Sequence, residues 1–293
     1  MKLLDGKKIS EEIKSELAEE VIQLRKSGKR VPHLAAVLVG DDPASAFYVK
    51  SKVKSCKQIG FDSTLIQRPT DITQNELLDI INKLNSDETI DGYIVQLPLP
   101  KHIDEEAINL AIDHRKDVDG FHPVNFGRMA QGLPAFLPAT PYGIIMILDR
   151  YGIETSGKRC VVVGRSNIVG MPISILMARS GKVGNSTVIH AHSRTTDTHS
   201  EVKRGDIVIV AVGIPHFIKA EHVKEGAVVI DVGINRLEDS SKKKGYRIVG
   251  DVDFEGVAPK CSYITPVPGG VGLMTVTALL KNTMLAYKKE IYP

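Results

Sequence analysis

Apolar runs too short to be helices recur along this chain, each separated from the next by a segment long enough to be one. HLAAVLVG (33–40) and GYIVQ (92–96) lie in the first part; RCVVVG (159–164), STVIHA (186–191), DIVIVAVG (206–213) and AVVIDVG (227–233) lie in the second. Apolar residues at consecutive rather than alternate positions mark strands covered on both faces. Such strands, spaced by helices, predict parallel sheets with helical crossovers, so the expected fold class is α/β.

The intervening segments carry helix signals. Ile13, Leu17, Val21 and Leu24 recur at helical spacing within 10–28, with Ser10 as a candidate N-cap and Gly28 as the stop. A second helix is expected to follow Pro43 and stop near Gly60, and Thr73 with Glu76 has the spacing of a capping box opening a third. The alternation lapses and restarts at Thr140-Pro141, where Thr140 suits an N-cap and Pro141 the first helical position. VGLMTVTALLKNTMLAYKKE, near the end of the chain, reads as a long helix expected to cross back onto the first domain. The 293 residues are ample for two domains. The expected division is 1–140 with 270–293 as one and 141–269 as the other, flanking a cleft. The polar segment LEDSSKKKGYR (237–247) reads as an exposed hairpin or loop.

Composition narrows the possible partners. A net charge of +3 is too small to point to nucleic acid, although a local basic site for an anionic ligand stays open. Cys56, Cys160 and Cys261 are far apart and form no CxxC pair, against a disulfide framework or a zinc site. The N-terminus lacks the apolar core of a signal peptide and no stretch approaches a membrane span, so a reducing, cytoplasmic setting without a membrane partner is expected. The histidines form no ligand cluster, and His190 and His192 are alternate residues of a strand, so no metal site is expected. No Gly-x-Ser-x-Gly elbow is present.

The most informative local segment is VVVGRSNIVGMP (161–172). An apolar strand runs into Gly164 and Gly170 opens a helix, the context in which backbone N–H groups face a pyrophosphate. Ser166 stands where a G-x-G-x-x-G pattern has its second glycine, so a tight turn without a ligand is the competing reading. A site for NAD places an acid after the next strand to bind the ribose 2′-hydroxyl. Here that strand ends in HAHSRT (190–195), and Arg165, Ser193 and Arg194 offer two cations and a hydroxyl to a 2′-phosphate. NADP is therefore favoured, against arginines that merely face solvent.

PASAFYVKSKVKSCKQIG (43–60) puts Tyr48 and Lys52 on one face of a helix, with Lys50, Lys54 and Lys57 elsewhere around it. A lysine beside a tyrosine can move a proton, but lysine-rich helices are more often solvated surfaces. Gln96 ends a buried strand, where ligands of open α/β sheets bind. Asp117 and Asp119, in KDVDGFHPVNFGR (116–128), are either turn formers or acceptors for the donor-rich edge of a heterocycle.

Taken together these segments resemble the bifunctional methylenetetrahydrofolate dehydrogenase/cyclohydrolase family. The resemblance runs in order through YVKSK (48–52), DGYIVQLPLP, KDVDGF, PATPYG, GRSNIVGMP, HSRT, GDIVIVAVG, VIDVGINR, GDVDF and TPVPGGVGLMT (265–275). It implies a catalytic α/β domain built from both chain ends, a Rossmann-like NADP-binding domain between them, and a homodimer. It also implies that Lys52 is the catalytic lysine, that Gln96 bonds and tunes it, that Tyr48 stacks on or orients the folate and that Asp119 binds the pterin edge. Pro266, Gly269 and Gly270 would lie against the folate, and Gly164, Arg165, Ser166, Ser193, Arg194 and Ile234 would hold NADP. Ala139 and Leu273 depart from the cysteine and proline of many relatives, which bears on local loop shape and substrate affinity. The rivals are a dehydrogenase of similar build with another small substrate, a monofunctional enzyme, and a non-catalytic NADP- or folate-binding module. Formyl-folate ligation is not expected, because no GxxxxGK[ST] loop occurs.

Overall fold

The computed structural model describes residues 1–242 and 245–293, with Ala44 described by its backbone alone. The chain opens with β1 (Lys2–Leu3), α1 (Gly6–Lys26), β2 (His33–Val39), α2 (Pro43–Ile59), β3 (Asp62–Arg68), α3 (Gln74–Ser86) and β4 (Gly92–Val95). Three helices without an intervening strand follow: α4 (Glu105–Ala111), α5 (Pro123–Ala130) and α6 (Ala139–Arg150). Alternation resumes with β5 (Arg159–Val163), α7 (Gly170–Ala178), β6 (Thr187–Ala191), α8 (Thr198–Lys203), β7 (Ile207–Val210) and β8 (Val228–Asp231). The chain then forms β9 (Asn235–Glu238), β10 (Tyr246–Val249), α9 (Phe254–Val257), β11 (Tyr263–Ile264) and α10 (Val271–Tyr287).

The chain divides into two compact units, Met1–Glu11 with Thr140–Thr275, and Glu12–Ala139 with Val276–Pro293. The division differs from the expected one at two places, Met1–Glu11 and Gly270–Thr275, both of which go with the later unit. Met1–Glu11 goes with the later unit because β1 pairs in parallel with β11, Lys2 opposite Tyr263. Two expected caps also move. Asp5, not Ser10, caps α1, its Oδ1 accepting from Lys8 N at 3.0 Å, and Ser10 is buried inside the helix. Thr140 falls in the first turn of α6 rather than before it, and its hydroxyl meets that of Thr275 at 3.0 Å.

In the unit of Glu12–Ala139 and Val276–Pro293, the sheet has the order β3-β2-β4, all parallel. The faces of β2 and β4 are covered, with Ala35, Val37, Tyr93 and Val95 packed among Leu77, Ile81 and Ile108. The expected helix signals hold here. Asp42 and Pro43 open α2, Gly60 closes it at φ 85°, and Thr73 and Glu76 form the capping box of α3. The end of α10 is tied to this unit. Asn282 Nδ2 donates to Val118 O and Leu137 O at 2.8 and 2.9 Å, and Tyr287 Oη donates to Arg30 O at 2.9 Å. Arg30 in turn grips the buried Asp91 through two bonds of 2.7 Å.

In the unit of Met1–Glu11 and Thr140–Thr275, a six-stranded parallel sheet has the order β1-β11-β8-β7-β5-β6. Val161, Val163, Val208, Val210 and Val229 fill its core. The polar excursion is the antiparallel hairpin β9–β10, with Lys243 and Lys244 outside the described residues. No helix among the described residues is long and apolar enough to cross a membrane.

Candidate active site

Each sheet has a strand whose two neighbours lie on opposite sides, the topological switch point at which open α/β sheets bind ligands. In the smaller sheet that strand is β2, with β3 and β4 beside it. Beyond its carboxyl end the chain enters α2, which carries Tyr48 and Lys52. Beyond β4 comes Gln96, whose N–H donates to Val37 O at 2.9 Å. Lys50, Lys54 and Lys57 are exposed, whereas Lys52 is 8% exposed. Its Nζ donates to Gln96 Oε1 at 3.1 Å, and Gln96 Nε2 is anchored on Leu97 O at 2.7 Å. A buried ammonium or amine met by one neutral amide and no carboxylate is poorly compensated by the protein alone, which marks it as a group that serves a ligand. Tyr48, one turn earlier, is half-buried, while its neighbour Phe47 stands edge-on to it and 70% exposed.

Residues 116–117 extend the same sheet: Tyr93 N donates to Lys116 O at 3.0 Å and Tyr93 bridges Asp117 in parallel. The two aspartates separate here. Asp117 is a turn former, buried, accepting from Gly120 N, Phe121 N, His122 N and Asn125 Nδ2 at 2.8 to 3.2 Å. The loop reverses at Gly120, φ +77°, where a Cβ would lie 2.5 Å from Leu137 C, so only glycine fits. Asp119 stands between them, half-buried, its carboxylate free of hydrogen bonds among the described residues.

Burial pushes the Asp117 carboxyl up to about 7, outweighing the N–H donors that favour its ionised form. Between its ordinary 3.8 and about 7 the unfolded chain is ionised and the folded chain protonated. This group's contribution to stability is therefore full below about pH 4 and lost as the pH rises to about 7. Asp117→Asn cannot ionise. Its melting temperature relative to wild type is expected to rise across that interval, and parallel melting curves would refute the assignment.

In the larger sheet the switch strand is β5, between β6 and β7. Gly164 follows it at φ +115°, and a Cβ there would lie 2.1 Å from Ala211 O. The same closeness holds at Gly170, where a Cβ would lie 1.9 Å from Gly164 O. Ser166 Oγ holds the turn that leads into α7, accepting from Val169 N and Gly170 N at 3.2 and 3.4 Å, a use for a serine where the glycine pattern has its second glycine. Among the described residues the amides from Arg165 to Ile168 find no acceptor in the fold, which leaves them for an anion. Arg165, Ser193 and Arg194 are exposed and outside every ion pair of the described residues. No carboxylate closes β6; the next acid, Asp197, is spent capping α8 at Ser200 N, 3.0 Å away. Ile234 is 49% exposed just after β8. Pro266, Gly269 and Gly270 form the turn after β11, with Gly269 O accepting from Lys7 N at 3.1 Å.

Two residues of this unit escaped the sequence reading. Asp231 accepts from Gly233, Asp251 and Val252 N, each at 2.9 Å. Asp251 accepts from Val212 N, Gly213 N and Asn235 Nδ2 at 2.7 to 2.9 Å. These buried carboxylates pin the turns that follow β7 and β8, including the one that displays Ile234. Their only mark in the sequence is an acid inside an otherwise apolar run.

The chain is 63% identical over 288 residues to the bifunctional protein FolD of Flavobacterium johnsoniae, covering 98% of each chain. It is 57% identical to that of Bacteroides fragilis over the whole of both. Among solved structures it matches the bifunctional FolD dehydrogenase/cyclohydrolase of Campylobacter jejuni with a TM-score of 0.93, 47% identity and 99% of each chain covered. The Trypanosoma brucei enzyme, solved with NADP and an inhibitor, matches at 0.92 and 38% identity over 99% of this chain and 98% of that one. Fold and comparisons together define a two-domain dinucleotide-dependent oxidoreductase. Residues 4–119 match the tetrahydrofolate dehydrogenase/cyclohydrolase catalytic domain, and residues 138–291 the NAD(P)-binding domain of the same family. The chain belongs to the tetrahydrofolate dehydrogenase/cyclohydrolase family and is a bifunctional enzyme of folate one-carbon metabolism.

Proposed function

We propose that this enzyme oxidises 5,10-methylenetetrahydrofolate with NADP and hydrolyses the resulting 5,10-methenyl cation to 10-formyltetrahydrofolate, with Lys52 serving the folate in both steps. The observation that carries the reading is the buried Lys52 Nζ, met among the described residues by Gln96 alone. A non-catalytic binding module has no use for so costly a group, and a surface lysine would be exposed like Lys50, Lys54 and Lys57.

Tyr48 orients the folate ring system one helical turn from Lys52, and Asp119, its carboxylate uncommitted, accepts from the donor-rich pterin edge. NADP, when bound, supplies the hydride acceptor. Arg165 and Arg194, unpaired among the described residues, suit its 2′-phosphate together with Ser193, and the amides after Gly164, which find no acceptor among the described residues, suit its pyrophosphate. Ser166 has its hydroxyl hydrogen left to donate. Ile234 offers an apolar surface, and Pro266, Gly269 and Gly270 supply a turn for the folate. In the hydrolytic step, water adds to the methenyl carbon and gives one proton to Lys52 Nζ; as the bond from that carbon to N5 breaks, the proton passes to N5, and the hydroxyl proton leaves to solvent as the formyl C=O forms. Gln96 Oε1 fixes the direction in which Nζ presents its lone pair or its hydrogens. The family resemblance further supports a homodimer in the cytoplasm.

The reading is tested on the wild-type protein by following reduction of NADP or NAD with methylenetetrahydrofolate, and decay of added methenyltetrahydrofolate without cofactor. Both activities are expected, with kcat/KM higher for NADP. Absence of methenyl hydrolysis would reduce the enzyme to a dehydrogenase.

A further inference from the structure

Beyond α10, Tyr292 packs back onto α5. Tyr292 Oη donates to Asn125 Oδ1 at 2.7 Å. Its ring stands edge-on to His114, with centroids 4.9 Å apart, and the Arg128 guanidinium lies 5.0 Å over its face. Burial raises the phenol above its ordinary value, so it stays a donor.

Asn125 is fully buried and every valence of its amide is used. Oδ1 accepts from Tyr292 and from Phe136 N at 3.2 Å; Nδ2 donates to His114 O and to Asp117 Oδ2, both at 2.9 Å. The amide is thereby locked in one orientation, and Asp117 receives its fourth donor. The other three are the amides of Gly120, Phe121 and His122, the loop that curls around Asp117 and presents Asp119. An unbroken chain of bonds thus runs from Tyr292 through Asn125 and Asp117 to the backbone that aims Asp119.

We propose that Tyr292 is a positioning residue for the folate, acting through Asn125 and Asp117 on Asp119. The proposal rests on the reading of Asp119 as a substrate contact. Partly satisfied buried networks lose their single geometry, so removing one hydroxyl at the far end loosens the loop rather than the fold. No atom of Tyr292 needs to touch the substrate.

The test is a double-mutant cycle of Tyr292→Phe and Asp119→Asn, with KM for methylenetetrahydrofolate, KM for NADP and kcat measured for all four proteins. Tyr292→Phe keeps the ring among His114, Phe136 and Arg128 and removes only the donor. It is expected to raise the folate KM about fivefold, the scale of one neutral hydrogen bond, with kcat and the NADP KM unchanged. In the Asp119→Asn background the same substitution should add nothing. A full effect in that background, or none in the wild type, would overturn the positioning role. An Asp119→Asn protein with normal folate KM would instead sink the substrate assignment, and the proposal with it. Hydrogen exchange supplies a readout independent of activity. The amides of Gly120, Phe121 and His122 should exchange several-fold faster in Tyr292→Phe, and unchanged rates would break the chain of bonds argued here.

Discussion

Lys52→Met is expected to cut methenyltetrahydrofolate hydrolysis by roughly 10²–10⁴-fold, the usual scale of positioned acid–base help. Hydride transfer moves no proton at the reacting carbon, so the dehydrogenase should fall less, mainly through a displaced folate. NADP affinity should barely change, because Lys52 and the cofactor residues belong to different compact units. Methionine retains most of the stem and carries no charge into a site that is 8% exposed, so the melting temperature should not fall. Gln96 loses its partner in this variant, but its Nε2 stays anchored on Leu97 O. Both activities measured on one folded preparation check the prediction. Near-normal hydrolysis would make Lys52 a structural lysine.

The second large effect concerns the cofactor. Arg165→Ala is expected to weaken NADP but hardly NAD, since only NADP carries a 2′-phosphate. A charge-assisted hydrogen bond is worth about 1.5–3 kcal/mol, roughly ten- to a hundredfold in Kd. Arg165 is exposed and unpaired among the described residues, so its removal strands no buried partner there and the loss should appear in binding alone. Arg194 sits on the loop after β6, which is fixed independently by His192 N on Thr195 Oγ1 at 2.9 Å and by Arg194 N on His192 Nδ1 at 3.2 Å. Arg194→Ala should therefore show the same preference without disturbing the loop. Titration of each variant with both cofactors decides it; equal weakening of NADP and NAD would reassign Arg165 to the pyrophosphate.

Much of this architecture was legible because burial on both faces leaves a plain trace. β2, β4, β5, β7 and β8 are runs of apolar residues, and the runs sit where the strands form. β3 left none: it is an edge strand, DSTLIQR, with most side chains exposed, so nothing selected an apolar pattern. The pairing of β1 with β11 was equally silent, since two residues joined across the length of the chain have no local signal, and the first eleven residues were therefore expected in the wrong unit. α5 is hidden in a loop-like sequence because His122 caps it by accepting from Val124 N, an unusual cap.

At the site, the i, i+4 spacing of Tyr48 and Lys52 could be read directly, and so could Gln96 at a strand end. Which of the neighbouring lysines is withdrawn from solvent could not, because that depends on α2 packing against its own sheet. The division of labour between Asp117 and Asp119 is likewise tertiary. One carboxylate turns inward to hold the loop and the other is left free, two residues apart in the same motif.

The central claim is that one folate site with one lysine serves both oxidation and hydrolysis. Tetrahydrofolate, which lacks the one-carbon bridge, competes for that site without reacting. Its inhibition constant should be measured against methylenetetrahydrofolate in the dehydrogenase assay and against methenyltetrahydrofolate in the hydrolysis assay, both with NADP saturating. The account predicts competitive inhibition with the same constant in both. Two different constants, or non-competitive inhibition of either reaction, would place the activities in separate sites and contradict it.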